Sequence, residues 1–132
     1  MFDWDRMLSL KGASAPYIQY SYARIQSIRR KTKKLGGTPD FTLLTGEAER
    51  LLLRELQYFP EVVEMAARVF EPNHIAEYIL RVAEKVNALY EKAPVLKAEP
   101  KIARARLGLF EMAAGVLKHG LALLGIDAPE KM

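Results

Sequence analysis

Ser14-Ala15-Pro16-Tyr17-Ile18-Gln19-Tyr20-Ser21-Tyr22-Ala23-Arg24-Ile25, running on into Arg29-Arg30-Lys31-Thr32-Lys33-Lys34, decides the reading of this chain. It has the grammar of one long helix from Ala15 to about Leu35. Ser14 is placed to cap its N-terminus, Pro16 suits the first turn, and Gly36-Gly37 supplies a left-handed stop. At about 100° per residue, Tyr17, Tyr20, Arg24, Ser27 and Lys31 share one narrow arc. Ile18, Tyr22, Ile25 and Ile28 fall on another arc. The helix is therefore expected to bury the isoleucine stripe and present the tyrosines and cations. Rings beside cations on a solvent face suit unpaired nucleic-acid bases and their phosphates. Two plainer readings compete. Tyrosines at helical spacing are more often half-buried packing residues, and a basic helix end also complements the macrodipole.

The charge distribution favours the first reading. Residues 1–37 hold 8 Lys/Arg against 2 Asp, while the remainder holds 12 against 14 acidic residues. The positive field sits on the opening helix, and a field of that sign attracts polyanions. With 132 residues, half of them hydrophobic, the chain is expected to form one domain with its own core. It has no Cys, which excludes disulfides, thiolate metal sites and cysteine nucleophiles. No apolar run approaches the roughly 18 residues of a membrane span, and the acidic opening Met1-Phe2-Asp3-Trp4-Asp5 is unlike a signal peptide. A soluble, cytoplasmic protein is expected.

Working outward, nearly every segment reads as helix. A short helical turn is expected around Asp3–Leu10. After the loop at residues 36–40, Thr45 can cap a helix over Glu47–Tyr58. Pro60 opens a shorter one to about Phe70, and Pro72-Asn73 reset the chain before a helix from His74 to about Glu91. The apolar stripe of that helix is Ile75, Ile79, Val82, Val86 and Leu89. Ala93–Glu99 reads as a linker. A last helix runs from about Pro100 to Leu124 and ends at Gly125. Its Ala103, Ala105, Gly108, Ala113, Ala114 and Gly115 would allow close helix approach. No segment alternates with β-branched enrichment, so the fold class is all-α, a helical bundle.

Catalytic constellations are missing. Neither GxGxxG nor GxxxxGK[ST] occurs, and His74 and His119 belong to no HExxH motif. Glu61/Glu64 and Asp3/Asp5 are explained as solvated carboxylates. Met7, Met65 and Met112 read as core fillers. No catalytic residue and no metal ligand is assigned.

The motifs are nonetheless familiar. Ser14 to Ile25 resembles the signature opening the C-terminal domain of arginyl-tRNA synthetases, a small residue followed by Pro-Tyr-Leu/Val/Ile-Gln-Tyr-Ala-x-x-Arg. Phe2-Asp3-Trp4-Asp5, with Leu8-Ser9 and Gly12, is similar to the family's lead-in. Leu89-Tyr90-Glu91 followed by Pro94-Val95-Leu96 resembles its middle. Val116-Leu117-Lys118-His119-Gly120-Leu121 and Leu123-Leu124-Gly125-Ile126-Asp127-Ala128-Pro129-Glu130-Lys131-Met132 resemble its close. The likeness spans almost all of the chain, in order. It implies the all-α anticodon-binding fold named DALR, which in the complete enzyme follows a Rossmann-like domain that activates arginine with ATP. That domain's HIGH-type and KMSKS-type motifs have no counterpart: His119-Gly120 is not the former, nor Lys31-Thr32-Lys33-Lys34 the latter.

The resemblance implies a single anticodon-binding domain over residues 1–132, with 1–12 leading in from an absent catalytic domain and 126–132 forming a tail at the tRNA site. The chain looks like a C-terminal piece that does not aminoacylate alone and needs no cofactor, since ATP would bind the absent domain. Its partners would be the anticodon stem-loop of the tRNA for arginine and the catalytic domain. Carried over by motif, the tRNA-binding residues are Tyr17, Tyr20, Arg24, Tyr90 and Met132. Lys31 joins them from the helix arc, and the Arg29–Lys34 cluster is expected to engage phosphates. Ser21 stands where many relatives carry Ala, a small change. Trp4, Met7 and Leu8 are expected to stay exposed where the catalytic domain docks. Two alternatives remain: the same fold from another class I synthetase, such as the cysteine enzyme or the glycine enzyme's β chain, or a helical protein-interaction module without RNA binding.

Overall fold

The computed structural model describes residues 14–132, so the expectations at Asp3–Leu10 and at Trp4, Met7 and Leu8 lie outside the described residues. Among the described residues five α-helices follow one another: α1 (Ala15–Lys31), α2 (Glu47–Leu56), α3 (Phe59–Val69), α4 (Asn73–Lys92) and α5 (Pro100–Leu123). A 3₁₀ turn (Phe41–Leu43) precedes α2, and no strand occurs among the described residues.

The helix ends follow from side-chain chemistry. Ser14 is extended, and its Oγ accepts the Tyr17 N–H at 3.3 Å, with Pro16 in the first turn. The far end of α1 differs from expectation. Thr32, not Gly36-Gly37, ends the helix: its backbone N–H and its hydroxyl both donate to the Ile28 carbonyl, at 3.0 and 2.8 Å. A hydroxyl that satisfies the last turn's carbonyls lets the chain leave the helix earlier. Gly37 takes its left-handed φ of 92° later, in the loop. Likewise Gly46, not Thr45, caps α2, because the Glu49 carboxylate reaches back to accept the Gly46 N–H at 3.4 Å. Pro60 and Pro100 sit in first turns as expected. Gly125, with φ 74°, follows α5 in a Schellman arrangement: its N–H donates to Ala122 O and that of Ile126 to Leu121 O, at 3.0 and 2.9 Å.

Helices α4 and α5 form the centre, packing on each other, while α1 and α2 each touch both and α3 packs on α4. The expected stripes are the buried ones: Ile18, Tyr22, Ile25 and Ile28 on α1, and Ile75, Ile79, Val82, Val86 and Leu89 on α4. Each large apolar side chain so removed from water contributes about 1.5–3 kcal/mol. Helix α5 comes close to α4 at Gly120, where a Cβ would come within 2.3 Å of the Ile79 side chain. Gly108 meets the loop instead, under Pro39, and Gly115 faces open space. Met65 and Met112 are exposed, not core fillers, because the helix arcs they occupy face solvent. His74 Nε2 lies 2.8 Å from Glu71 Oε2, and His119 is exposed. No helix of the described residues is long and apolar enough to cross a membrane.

Candidate nucleic-acid interface

Helices α1 and α4 run side by side in the same direction. Ser14 and Ile18 share one groove with Ala76 and Leu80, and Ser27 and Lys31 share another with Tyr90. Between these grooves a polar chain stitches the two helices together. Ser21 Oγ donates to the Tyr17 carbonyl at 2.9 Å and accepts the Asn87 amide at 2.6 Å. The Asn87 Oδ1 in turn accepts from Arg24 Nη1 at 2.8 Å. With its orientation set by Asn87, the Arg24 guanidinium lies 3.8 Å from the centre of the Tyr90 ring and 5.3 Å from that of Tyr20. Arg24 thus joins two rings from different helices, a cation–π arrangement that fixes where both rings stand.

Tyr90 leads into a half-open cavity of about 290 Å³. Its walls are Ser27 and Lys31 of α1, Tyr90, residues 93–97 of the linker and the fully buried Phe110. The linker is itself held in place. Arg106 donates to the Pro94 carbonyl at 2.9 Å and to Glu49 Oε1 at 3.0 Å, and Glu49 is buried. An ion pair in the body of the bundle therefore sets one wall of the cavity.

The C-terminal tail lies along α1. Gln19 donates to the Asp127 carbonyl at 2.8 Å, and Arg30 Nη1 to that of Glu130 at 3.1 Å. The Tyr22 hydroxyl donates to the Glu130 carboxylate at 3.3 Å. Burial first, then that carboxylate, pushes the Tyr22 phenol above its ordinary pKa, so it stays a donor. Beyond Glu130, Met132 is exposed.

The structure thus brings Tyr20, Arg24 and Tyr90 together and sets Lys31 on the adjoining cavity. Tyr17 is half-buried and packs against the core one turn earlier, and Met132 ends the tail. Ser21 is fully buried and is a junction in the polar chain, so it carries more than a small change implied. Sequence reading passed over Asn87 and Arg106. The available signal for Asn87 was an amide beside the buried stripe in mid-helix, where Asn has poor propensity and needs a partner. Among the described residues no carboxylate lies within 4.0 Å of Arg29, Arg30, Lys31, Lys33 or Lys34, whereas Arg81 and Lys85 are both paired with Glu55. Planar faces, an amphipathic cavity and cations without a carboxylate partner are the chemistry that splayed bases and their phosphates call for.

Comparison with known proteins gives a consistent result. The family described as DALR anticodon binding domain matches residues 18–132. The arginine–tRNA ligase of Chloroflexus aggregans is 46% identical over 134 residues, covering 98% of this chain and 23% of that protein. That of Pyrococcus furiosus is 41% identical over 140 residues, covering all of this chain and 22% of the relative. Among solved structures, Thermus thermophilus arginyl-tRNA synthetase superposes with a TM-score of 0.91 at 38% identity, over 99% of this chain and 23% of that one. The Plasmodium falciparum enzyme gives 0.80 at 28% identity over the same shares. The chain spans about a quarter of the length of the curated relatives it matches.

Proposed function

Because the chain belongs to the DALR anticodon binding domain family, we propose that it grips the anticodon arm of the tRNA for arginine. It does so as the C-terminal domain of an ATP-dependent arginine–tRNA ligase acting in the cytoplasm. Residues 1–12 lead in from the catalytic domain, and residues 126–132 border the RNA. Activation and transfer of arginine belong to that other domain.

The observation that carries this reading is the Tyr20–Arg24–Tyr90 assembly beside the open cavity. Unstacked loop bases lie on the exposed faces of the rings, each stack contributing about 1–3 kcal/mol. Arg24 spends its guanidinium on Tyr90, Tyr20 and Asn87 and so acts as a positioning residue. Lys31 takes a phosphate beside the cavity, Tyr17 extends the aromatic face by one turn, and Met132 packs on the loop from the tail. Fixing the rings beforehand lowers the entropic cost of ordering them when RNA arrives.

The test is a titration of the 132-residue chain with an arginine-isoacceptor anticodon stem-loop against the same stem with a scrambled loop. The first is expected to bind more tightly, with affinity falling steeply as salt rises because counterions are released. Equal, salt-insensitive binding of both refutes the reading.

A further inference from the structure

The basic run that leaves α1 does not act as one patch. At about 100° per residue, Arg29, Arg30 and Lys31 point in three directions, with Arg30 between the other two. Lys31 opens on the Tyr90 cavity. Arg29 and Lys33 instead border a second cleft of about 350 Å³, shared with Arg30 and closed across from them by Arg104 and Glu111 of α5. Arg30 is tied to the Glu130 carbonyl, so the C-terminal tail passes between the two cationic surfaces.

The chemistry of this second cleft is that of an anion site. Four cations surround it, and Glu111 is the one carboxylate in its lining, held by Arg104 at 3.4 Å. Arg104 otherwise donates to the Gly37 carbonyl, which fixes it across from α1. Among the described residues the Arg29 side chain bonds only the neutral amide of Gln26, at 3.0 Å, and that of Arg30 only a backbone carbonyl. Leu35 and Leu107 are its only apolar lining, so the cleft offers little to a base and much to phosphate oxygens.

We propose that this cleft is a second RNA-phosphate site, distinct from the aromatic face. The RNA that engages Tyr20 and Tyr90 sends its backbone over the C-terminal tail into the cleft of Arg29, Lys33 and Arg104. A helix with its side chains is only about 10–12 Å across, a span that a few nucleotides cover. The arm is then held on both sides of α1, with base contacts on one side and phosphate contacts alone on the other. This inference rests on the anticodon-arm reading above.

The experiment compares the chain with its R29Q/K33Q variant for binding of the arginine-isoacceptor stem-loop across a salt series. Both residues are exposed, so the thermal melt should not change, and K118Q serves as a control that lines neither cleft. Two lost phosphate contacts should flatten the slope of log affinity against log salt by about 1.4–1.8. The ratio of affinities for cognate and scrambled loops should stay as in the parent chain. An unchanged slope, with the parent still binding, overturns the second site alone. Failure of the parent chain to bind the stem-loop overturns the anticodon-arm reading and this inference with it. Arg29- and Lys33-dependent binding of polyglutamate, with the RNA slope unchanged, overturns it in favour of an acidic protein segment.

Discussion

Replacing Arg24 by lysine separates two roles that the charge alone cannot distinguish. If Arg24 meets a phosphate, lysine keeps the charge and most of the affinity. If it positions Tyr20 and Tyr90, lysine fails, because an ammonium cannot lie flat on a ring and also reach Asn87 through a planar fork. The guanidinium stands 3.8 Å from the Tyr90 centroid and 2.8 Å from Asn87 Oδ1. A partly desolvated cation–π contact of that kind amounts to about 0.5–2 kcal/mol. Losing it frees two rings, each able to supply a base stack of about 1–3 kcal/mol. Part of one stack is forfeited, about 1–2 kcal/mol, or about 5- to 30-fold in Kd. Fluorescence anisotropy with the cognate stem-loop reads this directly. The salt slope should be unchanged in Arg24→Lys and also in Arg24→Gln, because no phosphate contact is removed. Wild-type affinity in Arg24→Lys refutes the positioning role, as does a slope flattened by about 0.7–0.9 in Arg24→Gln, the signature of one lost phosphate contact.

Two stability predictions follow from the packing. In α5, Gly115→Ala should stabilise the fold by about 0.5–1 kcal/mol, since among the described residues no atom outside its own stretch of helix lies within 4 Å of the new methyl and alanine favours the helix. Gly120→Ala, five residues on, should destabilise by about 1–3 kcal/mol, because its methyl meets the fully buried, β-branched Ile79; urea midpoints report both signs. Tyr78 supplies a pH dependence. Its hydroxyl donates to the Glu55 carbonyl, and burial, followed by the Glu55 carboxylate, pushes its pKa up to about 12 from 10.0. The native state holds that proton more tightly than the unfolded chain, so its stabilisation is complete below about pH 10 and declines as pH rises towards 12. Urea midpoints taken across that window should fall more steeply for the parent than for Tyr78→Phe, which at neutral pH is the less stable because the Glu55 carbonyl keeps the Tyr58 N–H but loses the Tyr78 hydroxyl as a donor.

Much of this fold was legible because its signals are local. Ser14, Pro16, Pro60, Pro100 and Gly125 act within one turn of themselves, and the stripes on α1 and α4 need only the helical period. The errors at Gly36-Gly37 and Thr45 share a cause. The glycine pair suggests where α1 stops and the threonine where α2 starts, but the stronger competitor is a side chain three or four residues away, Thr32 on Ile28 and Glu49 on Gly46. The site was legible only as a list of residue types. That Arg24 joins Tyr20 to Tyr90 depends on Asn87, 63 residues further along the chain, and that Lys33 works with Arg104 depends on α5. Helix periodicity carries no information about pairings at that range. Met65 and Met112 were misplaced because hydrophobic character does not say which arc of a helix meets a neighbour.

The manner in which the tail is fastened bears on how the protein should be handled at the bench. Gln19, Tyr22 and Arg30 hold residues 127–130 along α1, and Met132 lies exposed two residues beyond Glu130, the partner of Arg30. An affinity handle fused after Met132 would begin within a few residues of Arg30, and an acidic one would compete with RNA for that cation and its neighbours Arg29 and Lys33. Tagged preparations should then understate affinity in proportion to the handle's charge and recover it after cleavage.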